Sequence, residues 1–404
     1  MKIAIPAIGT KSDVFSYLAL AVGLQRAGHM VMIGSHPHMA AMVQSYGIPF
    51  TPIGPDVDLA REINRVRERA RSWLGAYLGV SRRLTAAMLQ ASPDIQNLCR
   101  DAHLVIVPHT FVGRAEVDLL SKAFITVTAQ PTLIPTPLSP RNEMESLVDR
   151  LGTAIINRLV VEPHNRLRRR LNLPPLDNGV ESLLSTRLNL VPFSPVMTPP
   201  DPHWSPQNRV VGYWFMTEPE EWQPSAELQV FLLAHEPVIA ISLGPFFRNS
   251  RRSLRIARRV IEAVKRAGVY AVVQGWEDIQ RHLEIPPNIL PVSGVPNHWL
   301  LPRVKLVLHN GGFGITAAAA RSGVPSVVAL NRTETPIWAE RLAELGVAPG
   351  YIPANHCKPG VLADAIRVAL CSVEMQKRAA ELGEQVRLEG GVRKAVWLIE
   401  DVMS

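Results

Sequence analysis

The stretch Leu308-His309-Asn310-Gly311-Gly312-Phe313-Gly314-Ile315-Thr316 decides the fold of the second half of the chain. An Ala-rich run and the apolar residues 326–330 follow it, which predicts a buried strand, a Gly-rich turn, a helix and another buried strand. Glycines at such a junction let backbone N–H groups approach an anion, and the helix N-terminus adds its positive dipole end. His309 can donate to the same anion. The stretch therefore suits a diphosphate, although a turn that only serves strand–helix packing has the same pattern.

The same order of strand, turn and helix opens the chain. Residues 1–8 predict a strand, residues 9–13 a turn, residues 14–27 a helix and residues 30–33 a second strand, which indicates a parallel sheet. The order restarts at residues 238–244, after a stretch rich in Pro and Trp that we interpret as a domain crossing. We predict an α/β protein of two doubly wound domains, over residues 1–205 and 206–390. Whether a final helix over residues 391–404 returns to the first domain is left open.

Composition limits the classes of partner. The net charge of +8, from 43 Lys and Arg against 35 Asp and Glu, favours anionic partners. No nucleic-acid motif is present, so we expect no nucleic acid, whereas weak contact with a membrane surface stays open. No apolar run is long enough to span a bilayer, and residues 1–6 predict a core strand rather than a signal peptide. Three scattered cysteines predict neither disulfides nor a zinc site, and the cytoplasm is the expected compartment. The sequence does not indicate an oligomeric state.

Four stretches together resemble the bacterial nucleotide-sugar glycosyltransferases that modify natural products and sterols, including the glycopeptide-antibiotic enzymes. They lie, in order, at residues 8–20, 295–304, 309–316 and 333–339. The resemblance covers nearly the whole chain. It implies the GT-B fold, in which two Rossmann-like domains face each other across a cleft. It also implies an inverting, metal-independent transfer of a sugar from a UDP- or TDP-sugar to a hydroxyl or amine of an apolar acceptor, with no cofactor.

The resemblance assigns the donor site by position. The donor diphosphate falls on His309, Gly311, Gly312, Phe313 and Gly314, and the nucleotide on Gly244 and Val295. The donor sugar falls on Glu334 and Thr335. Thr335 stands where the family usually has Gln, and one short hydroxyl replaces a two-donor amide. This change favours a deoxygenated or otherwise modified sugar.

Other departures from the family pattern lie close to the donor loop. Asn310 replaces a second His, Phe313 a small residue and Ile315 a Thr, although Thr316 could cap the following helix. Pro245 follows Gly244 where Ser is common and removes one backbone donor. These changes leave a second interpretation open: a catalytically impaired homologue that acts as a binding or helper protein.

Two residues are candidates for the general base, which the GT-B arrangement requires on the N-terminal domain. Asp13 follows the first strand, at the edge where open α/β sheets bind ligands, and related enzymes place their proposed base at this turn. The alternative for Asp13 is a cap or first-turn acid that complements the helix dipole. His109 follows the strand at residues 104–107 and could share the role, although a structural hydrogen bond is its alternative.

The acceptor is expected against residues 59–90, which read as long and mostly helical. Trp73, Tyr77, Leu78 and Met88 offer apolar contact there, unless they only pack one helix on another. An Asp-x-Asp pair at Asp56 and Asp58 could hold a divalent metal in principle, but its place in an N-terminal loop predicts a solvated turn. No metal site is predicted.

Overall fold

The structure, a computed structural model, describes two compact units. They are Met1–Thr217 with Gly390–Ser404, and Glu218–Glu389. The described residues are 1–9, 11–57, 62, 65, 66, 73–110, 112–129, 133, 134, 160–176, 179–216, 222–244, 251–330, 337–353 and 356–403, without the side chains of residues 12, 73, 74, 76, 77, 84, 251 and 252.

The first unit is built on a parallel sheet whose described strands number seven, in the order β3-β2-β1-β4-β5-β6-β7. The strands are β1 Lys2–Pro6, β2 Met30–Ser35, β3 Phe50–Pro52, β4 Leu104–Pro108, β5 Ala123–Val127, β6 Asn189–Val191 and β7 Asn208–Val210. The helices are α1 Lys11–Arg26, α2 Ala40–Gln44, α3 Trp73–Cys99, α4 Arg114–Leu119 and α5 over residues 160–170. Short 3₁₀ turns lie at Pro37–Met39 and Val180–Leu183.

The second unit has a parallel sheet of six described strands in the order β10-β9-β8-β11-β12-β13. The strands are β8 Val238–Ser242, β9 Tyr270–Gln274, β10 Ile289–Val292, β11 Leu306–His309, β12 Ser326–Ala329 and β13 Tyr351–Ile352. The helices are α6 Ala226–Ala234, α7 Arg251–Ala267, α8 Asn297–Leu300, α9 Phe313–Ser322, α10 Ile337–Glu344, α11 Pro359–Cys371 and α12 Val373–Leu388, with a 3₁₀ turn at Leu301–Arg303.

Each sheet has an interior first strand, with neighbours on both sides. In the first sheet β1 lies between β2 and β4, and in the second β8 lies between β9 and β11. The strand order therefore reverses beside β1 and beside β8. Ligands of open α/β sheets bind outside the carboxyl ends of the strands at this point. The residues after β1, β4, β8 and β11 are thus the first to inspect for a site.

The last helix, α13 (Gly391–Met403), belongs to the first unit. Ala395, Leu398 and Ile399 lie in the same buried cluster as the apolar face of α1. Two polar contacts fix the helix: Glu400 Oε1 lies 3.0 Å from His29 Nε2, and Lys394 Nζ donates to the Val210 carbonyl at 3.0 Å. Both ends of the chain therefore build the first unit.

The division between the units differs from the predicted one after residue 205. The Pro- and Trp-rich stretch that predicted a crossing contains β7, whose residues Asn208–Val210 pair in parallel with β6. Trp214 and Met216 then pack into the core of the first unit. The first unit therefore extends beyond residue 205, because the apolar side chains of these residues are buried in its core. Among the helices of the described residues, none has the length and apolarity to span a membrane.

Candidate active site

The turn between β11 and α9 has the backbone geometry that its glycines predict. Gly311 has a φ of +80°, and a Cβ there would lie 2.8 Å from Leu330 Cδ2. Gly312 is the N-cap of α9 and offers no side chain to the first-turn N–H groups. Those groups have no partner within the helix itself, so the turn presents donors and the positive end of the helix dipole. This is an arrangement that binds anions.

His309 adds a side-chain donor to this turn. It is the last residue of β11, is 0% exposed, and its Nδ1 accepts from the Gly311 N–H at 3.1 Å. Burial lowers the pKa of His309 to about 4, so the ring is neutral at pH 7. Because Nδ1 accepts, the single ring proton lies on Nε2, and Nε2 has no acceptor among the described residues. An acceptor oxygen on a bound molecule would satisfy this donor, whose isolation costs about 1–3 kcal/mol.

Asn310, one of the departures from the family pattern, holds the neighbouring strand ends together. A Cβ at Gly244, which follows β8 with a φ of +83°, would lie 2.8 Å from Asn310 Nδ2. Asn310 Oδ1 accepts from the Gly312 N–H at 3.4 Å. The amide side chain therefore packs on Gly244 and braces the turn, and only glycine fits beneath it.

Thr316 does not cap α9, contrary to the expectation from its place in the sequence. It lies one turn inside the helix, is 1% exposed, and its Oγ1 has no hydrogen-bond partner among the described residues. The cap position belongs to Gly312, because Thr316 N–H already bonds to the Gly312 carbonyl as the first turn of the helix.

The structure describes only some of the other residues predicted to bind the donor. Val295 is 8% exposed and packs in the core with Leu300 and Val304, so it can meet a nucleotide only through its backbone. Phe313 and Gly314, which the resemblance assigns to the diphosphate, lie in the first turn of α9. Glu334, Thr335 and Pro245 lie outside the described residues.

Sequence reasoning missed a polar pair beside the donor turn. Gln274 ends β9, at the same edge of the sheet as His309, and its Nε2 donates to Asn297 Oδ1 at 3.0 Å. A Gln at a predicted strand end followed by Gly275 was the available signal. The pair adds an amide to the rim of the candidate donor site.

Asp13 lies in the first turn of α1, immediately beyond the carboxyl end of β1. Its side chain is exposed, and its Oδ2 would lie only 2.8 Å from a Cβ placed on Gly9. The carboxylate is therefore folded back over Gly9, at the edge where this sheet is expected to bind ligands. Of the two predicted alternatives, the position is compatible with a base and with an acid that complements the helix dipole.

His109 follows β4 and is engaged on both ring nitrogens. Nε2 donates to the Val180 carbonyl at 2.9 Å, and Nδ1 lies 3.1 Å from Thr128 Oγ1, whose hydroxyl also donates to Asn189 Oδ1 at 2.9 Å. Burial lowers the pKa of His109 to about 4, although the bond to Val180 opposes this. A neutral ring with both nitrogens occupied has no lone pair to offer a substrate. These contacts favour the structural alternative for His109 over a share in the base role.

The predicted acceptor residues on α3 divide into two groups. Met88 is 6% exposed and packs in the core with Ile53 and Val107, which favours helix packing over acceptor contact. Leu78 is 39% exposed and lines a groove beside α5. The side chains of Trp73 and Tyr77 lie outside the described residues.

The loop after β3 bears no metal cluster in the part of the chain that the structure describes. Asp56 instead binds His38, with Oδ1 2.6 Å from Nδ1, while Asp58 lies outside the described residues. The hydrogen bond to His38 lowers the pKa of Asp56 below its usual value. The predicted solvated turn is thus an exposed His–Asp pair.

Comparison with known proteins agrees with this geometry. Residues 3–104 match the glycosyltransferase family 28 N-terminal domain, and residues 262–390 match the C-terminal domain of erythromycin biosynthesis protein CIII-like proteins. The chain is 30% identical over 425 aligned positions to the O-mycaminosyltylonolide 6-deoxyallosyltransferase of Streptomyces fradiae, covering 99% of this chain and 97% of that relative. The chain belongs to the family 28 and erythromycin CIII-like glycosyltransferases of the GT-B fold. The predicted resemblance, enzyme class and two-domain fold are therefore confirmed.

Two further similarities bear on this glycosyltransferase. It is 27% identical to a sterol 3-beta-glucosyltransferase of Saccharomyces cerevisiae over 98% of its own length, but that alignment spans only 34% of the yeast protein. The structure of the glycosyltransferase VinC in complex with DTDP matches with a TM-score of 0.68 at 20% identity, covering 100% of both chains. The second similarity shows the shared fold.

Proposed function

We propose that this glycosyltransferase moves a sugar from a UDP- or TDP-sugar to a hydroxyl or amine of an apolar natural-product, sterol or lipid acceptor, with inversion and without a metal. The observation that carries the proposal is the unpartnered Nε2–H of His309 beside the uncapped first turn of α9. The named macrolide and sterol relatives support the acceptor class. The DTDP complex of VinC supports thymidine as the nucleoside of one donor.

The donor turn would stabilise the leaving group. As the bond from the anomeric carbon to the β-phosphate oxygen breaks, the electron pair and negative charge pass to the nucleoside diphosphate. Fixed donors stabilise such developing charge without reorganising at the moment of reaction. His309 Nε2–H and the first-turn amides of α9 supply these donors, and the helix dipole adds to them. We propose that these groups make a metal unnecessary.

Asp13 would act on the acceptor. Its carboxylate takes the proton of the acceptor hydroxyl while the oxygen attacks the anomeric carbon from the face opposite the leaving group. Attack on that face inverts the anomeric configuration. Gly9 supports this assignment because a side chain there would occupy the position of the Asp13 carboxylate.

The nature of the sugar would depend on Glu334 and Thr335. We propose that they face the sugar rather than the nucleotide, and that Thr335 favours a deoxygenated or modified sugar because it offers fewer hydrogen bonds than Gln. Thr335→Gln should shift kcat/KM toward a fully hydroxylated hexose, measured with paired TDP-glucose and TDP-deoxyhexose donors. An unchanged ratio in this variant and in Glu334→Gln would make the pair structural.

The direct test is transfer itself. The protein is incubated with UDP- and TDP-sugars and with sterol or macrolide aglycones, in EDTA and in Mg²⁺, and the product anomer is assigned by NMR. We expect product of inverted configuration at equal rates in both buffers. Retained configuration, or activity lost in EDTA and restored by Mg²⁺, contradicts the mechanism. Tight binding of nucleotide sugars without hydrolysis or transfer indicates the impaired helper protein instead.

A further inference from the structure

A groove in the first unit lies at the same edge of the sheet as Asp13. Helix α3 has 27 residues, about 40 Å at 1.5 Å per residue. A five-residue strand such as β1 spans only about 17 Å. Gly54, just beyond the carboxyl end of β3, donates from its N–H to Asp94 Oδ2 at 2.9 Å. The part of α3 that precedes this level therefore projects beyond the carboxyl edge of the sheet.

Helix α5 is fixed beside this projecting part. Arg168 on α5 is 5% exposed and forms an ion pair with Asp118 of α4, which Arg114 also contacts at 3.1 Å. His164 Nε2 lies 3.5 Å from the Thr110 carbonyl, two residues beyond β4. These buried contacts hold one face of α5 at the carboxyl edge and leave the opposite face beside α3.

The space between α3 and α5 is a groove with two adjoining cavities of about 320 and 450 Å³, which share Thr85 and Arg166. Both cavities open to solvent along the groove. The apolar lining consists of Leu78, Leu89 and Pro163, and the charged lining of Arg82, Glu162, Arg166, Arg169 and Arg170.

The charge of the groove is strongly one-sided. Four arginines face a single glutamate, and Arg166 and Arg169 both bond to the same Oε1 of Glu162, each at 3.0 Å. Among the described residues, Arg82 and Arg170 form no ion pair. Guanidinium groups bind carboxylates and phosphates bidentately, so the groove is complementary to an acid group.

We propose that this groove binds an acceptor that carries a carboxylate or another acid group on an apolar body. The apolar residues contact the body, and the acid binds a guanidinium group without an ion pair, Arg82 in the first cavity or Arg170 in the second. This leaves a hydroxyl of the same molecule for the Asp13 edge. The proposal rests on the proposed transferase function and specifies its acceptor class. A small amphiphile fits better than a membrane surface, because the arginines line a concave space between two helices.

The test compares two probes of equal length, 10-hydroxydecanoate and decane-1,10-diol, by isothermal titration. The groove variant is Arg82→Gln/Arg170→Gln. The matched control is Arg209→Gln/Arg393→Gln, which removes the same charge from two exposed positions of the first unit outside the groove. We expect the acid to bind at least tenfold more tightly than the diol, the groove variant to lose this preference and the control to keep it.

Three results would overturn the proposal. The first is equal affinity for the two probes, and the second is an equal loss of the acid preference in both double variants. The third is displacement of the acid by an equal concentration of inorganic phosphate, which indicates a site for free anions. Sedimentation with phosphatidylglycerol vesicles but not phosphatidylcholine vesicles, lost in the groove variant while the acid does not bind, would assign the arginines to a membrane. TDP titration of the same samples separates the claims: retained TDP binding with no acid preference rejects only the groove. An acid preference without TDP binding or transfer rejects the transferase function.

Discussion

His109 and His309 occupy corresponding places in the two units but differ in whether Nε2 has a protein partner among the described residues. His109 directly follows β4 and His309 is the last residue of β11, and each of these strands lies beside the point of reversed strand order. Both are buried, and burial lowers both pKa values to about 4. His109 uses both ring nitrogens within the protein, whereas His309 leaves Nε2–H unpartnered among the described residues. Burial and pKa therefore do not separate a structural histidine from a candidate ligand-binding one, but the hydrogen-bond inventory does.

The contacts of His109 favour a structural role, so we propose Asp13 as the base, and its substitution carries the largest expected effect. Asp13→Asn keeps the side-chain shape but cannot accept the proton, so kcat should fall by roughly 10²–10⁴-fold while TDP affinity stays unchanged. His109→Gln serves as the counterpart and should reduce stability more than turnover. Full activity of the Asp13→Asn enzyme would return the base role to another residue.

The difference at Nε2 is tested by the same substitution in both units. In His309→Asn, the amide oxygen can replace Nδ1 as acceptor for Gly311, but the distal donor is lost. The Kd for TDP should rise by about 10- to 150-fold, equivalent to roughly 1.5–3 kcal/mol for a hydrogen bond to a charged group. His109→Asn should leave this Kd unchanged and lower the urea midpoint. Identical TDP affinities for the wild type and His309→Asn, measured by calorimetry, would mean that His309, like His109, does not bind the diphosphate.

Gly314 sharpens the assignment of the turn around His309. It is exposed in the first turn of α9, and a Cβ there would meet no atom within 4 Å. Gly314→Ala should therefore stabilise the protein by about 0.5–1 kcal/mol through helix propensity. A diphosphate bound against this turn would meet the new methyl group, and TDP affinity should fall about tenfold, or 1.4 kcal/mol.

The control for this change is Gly360→Ala near the start of α11, where the nearest atom to a Cβ is Arg266 Nη1 at 3.8 Å. It should give the stability gain alone. Parallel gains in stability with no change in TDP binding for either variant would place the diphosphate elsewhere.

The last comparison is a shared pH dependence. His109, His164 and His309 each have a pKa lowered to about 4 by burial. Their unfolded values lie near 6.5. Between these two pKa values the unfolded chain binds more protons than the folded chain. The free energy of unfolding should therefore be highest above about pH 6.5 and fall as the pH is lowered toward 4. Urea titrations at several pH values give the free energy of unfolding as a function of pH. This dependence on pH should be weaker in His164→Gln than in the wild type and unchanged in His203→Gln, whose histidine is exposed.

The sequence predicted the repeated strands because they are short, continuous apolar runs. The strands predicted at residues 30–33 and 104–107 lie within β2 and β4, and the apolar run at residues 326–330 contains β12. The short strands β6 and β7, the last two of the first sheet, were missed, since three residues near prolines carry no periodic signal.

The candidate site was predictable where backbone chemistry dictates it and not where partners decide it. Glycine spacing located the turn of Gly311 and Gly312, whose conformations depend on local sterics. The roles of His109 and Met88 depend on residues distant in sequence: Val180 accepts from His109, and the sheet core surrounds Met88. Such long-range neighbours leave no trace in local spacing. For the same reason local spacing does not show that the arginines of α3 and α5 line one groove.

The placement of α13 also sets an order of biosynthesis. The chain enters the second unit after Thr217 and leaves it at Glu389, so that unit is an insertion between two parts of the first. Synthesis proceeds from the N-terminus, and domains fold largely as units. The ribosome therefore delivers every residue of the second unit before the last helix of the first. The first unit is therefore completed only after the second has been synthesised, and until then the face of α1 that packs with Ile399 lacks its cover.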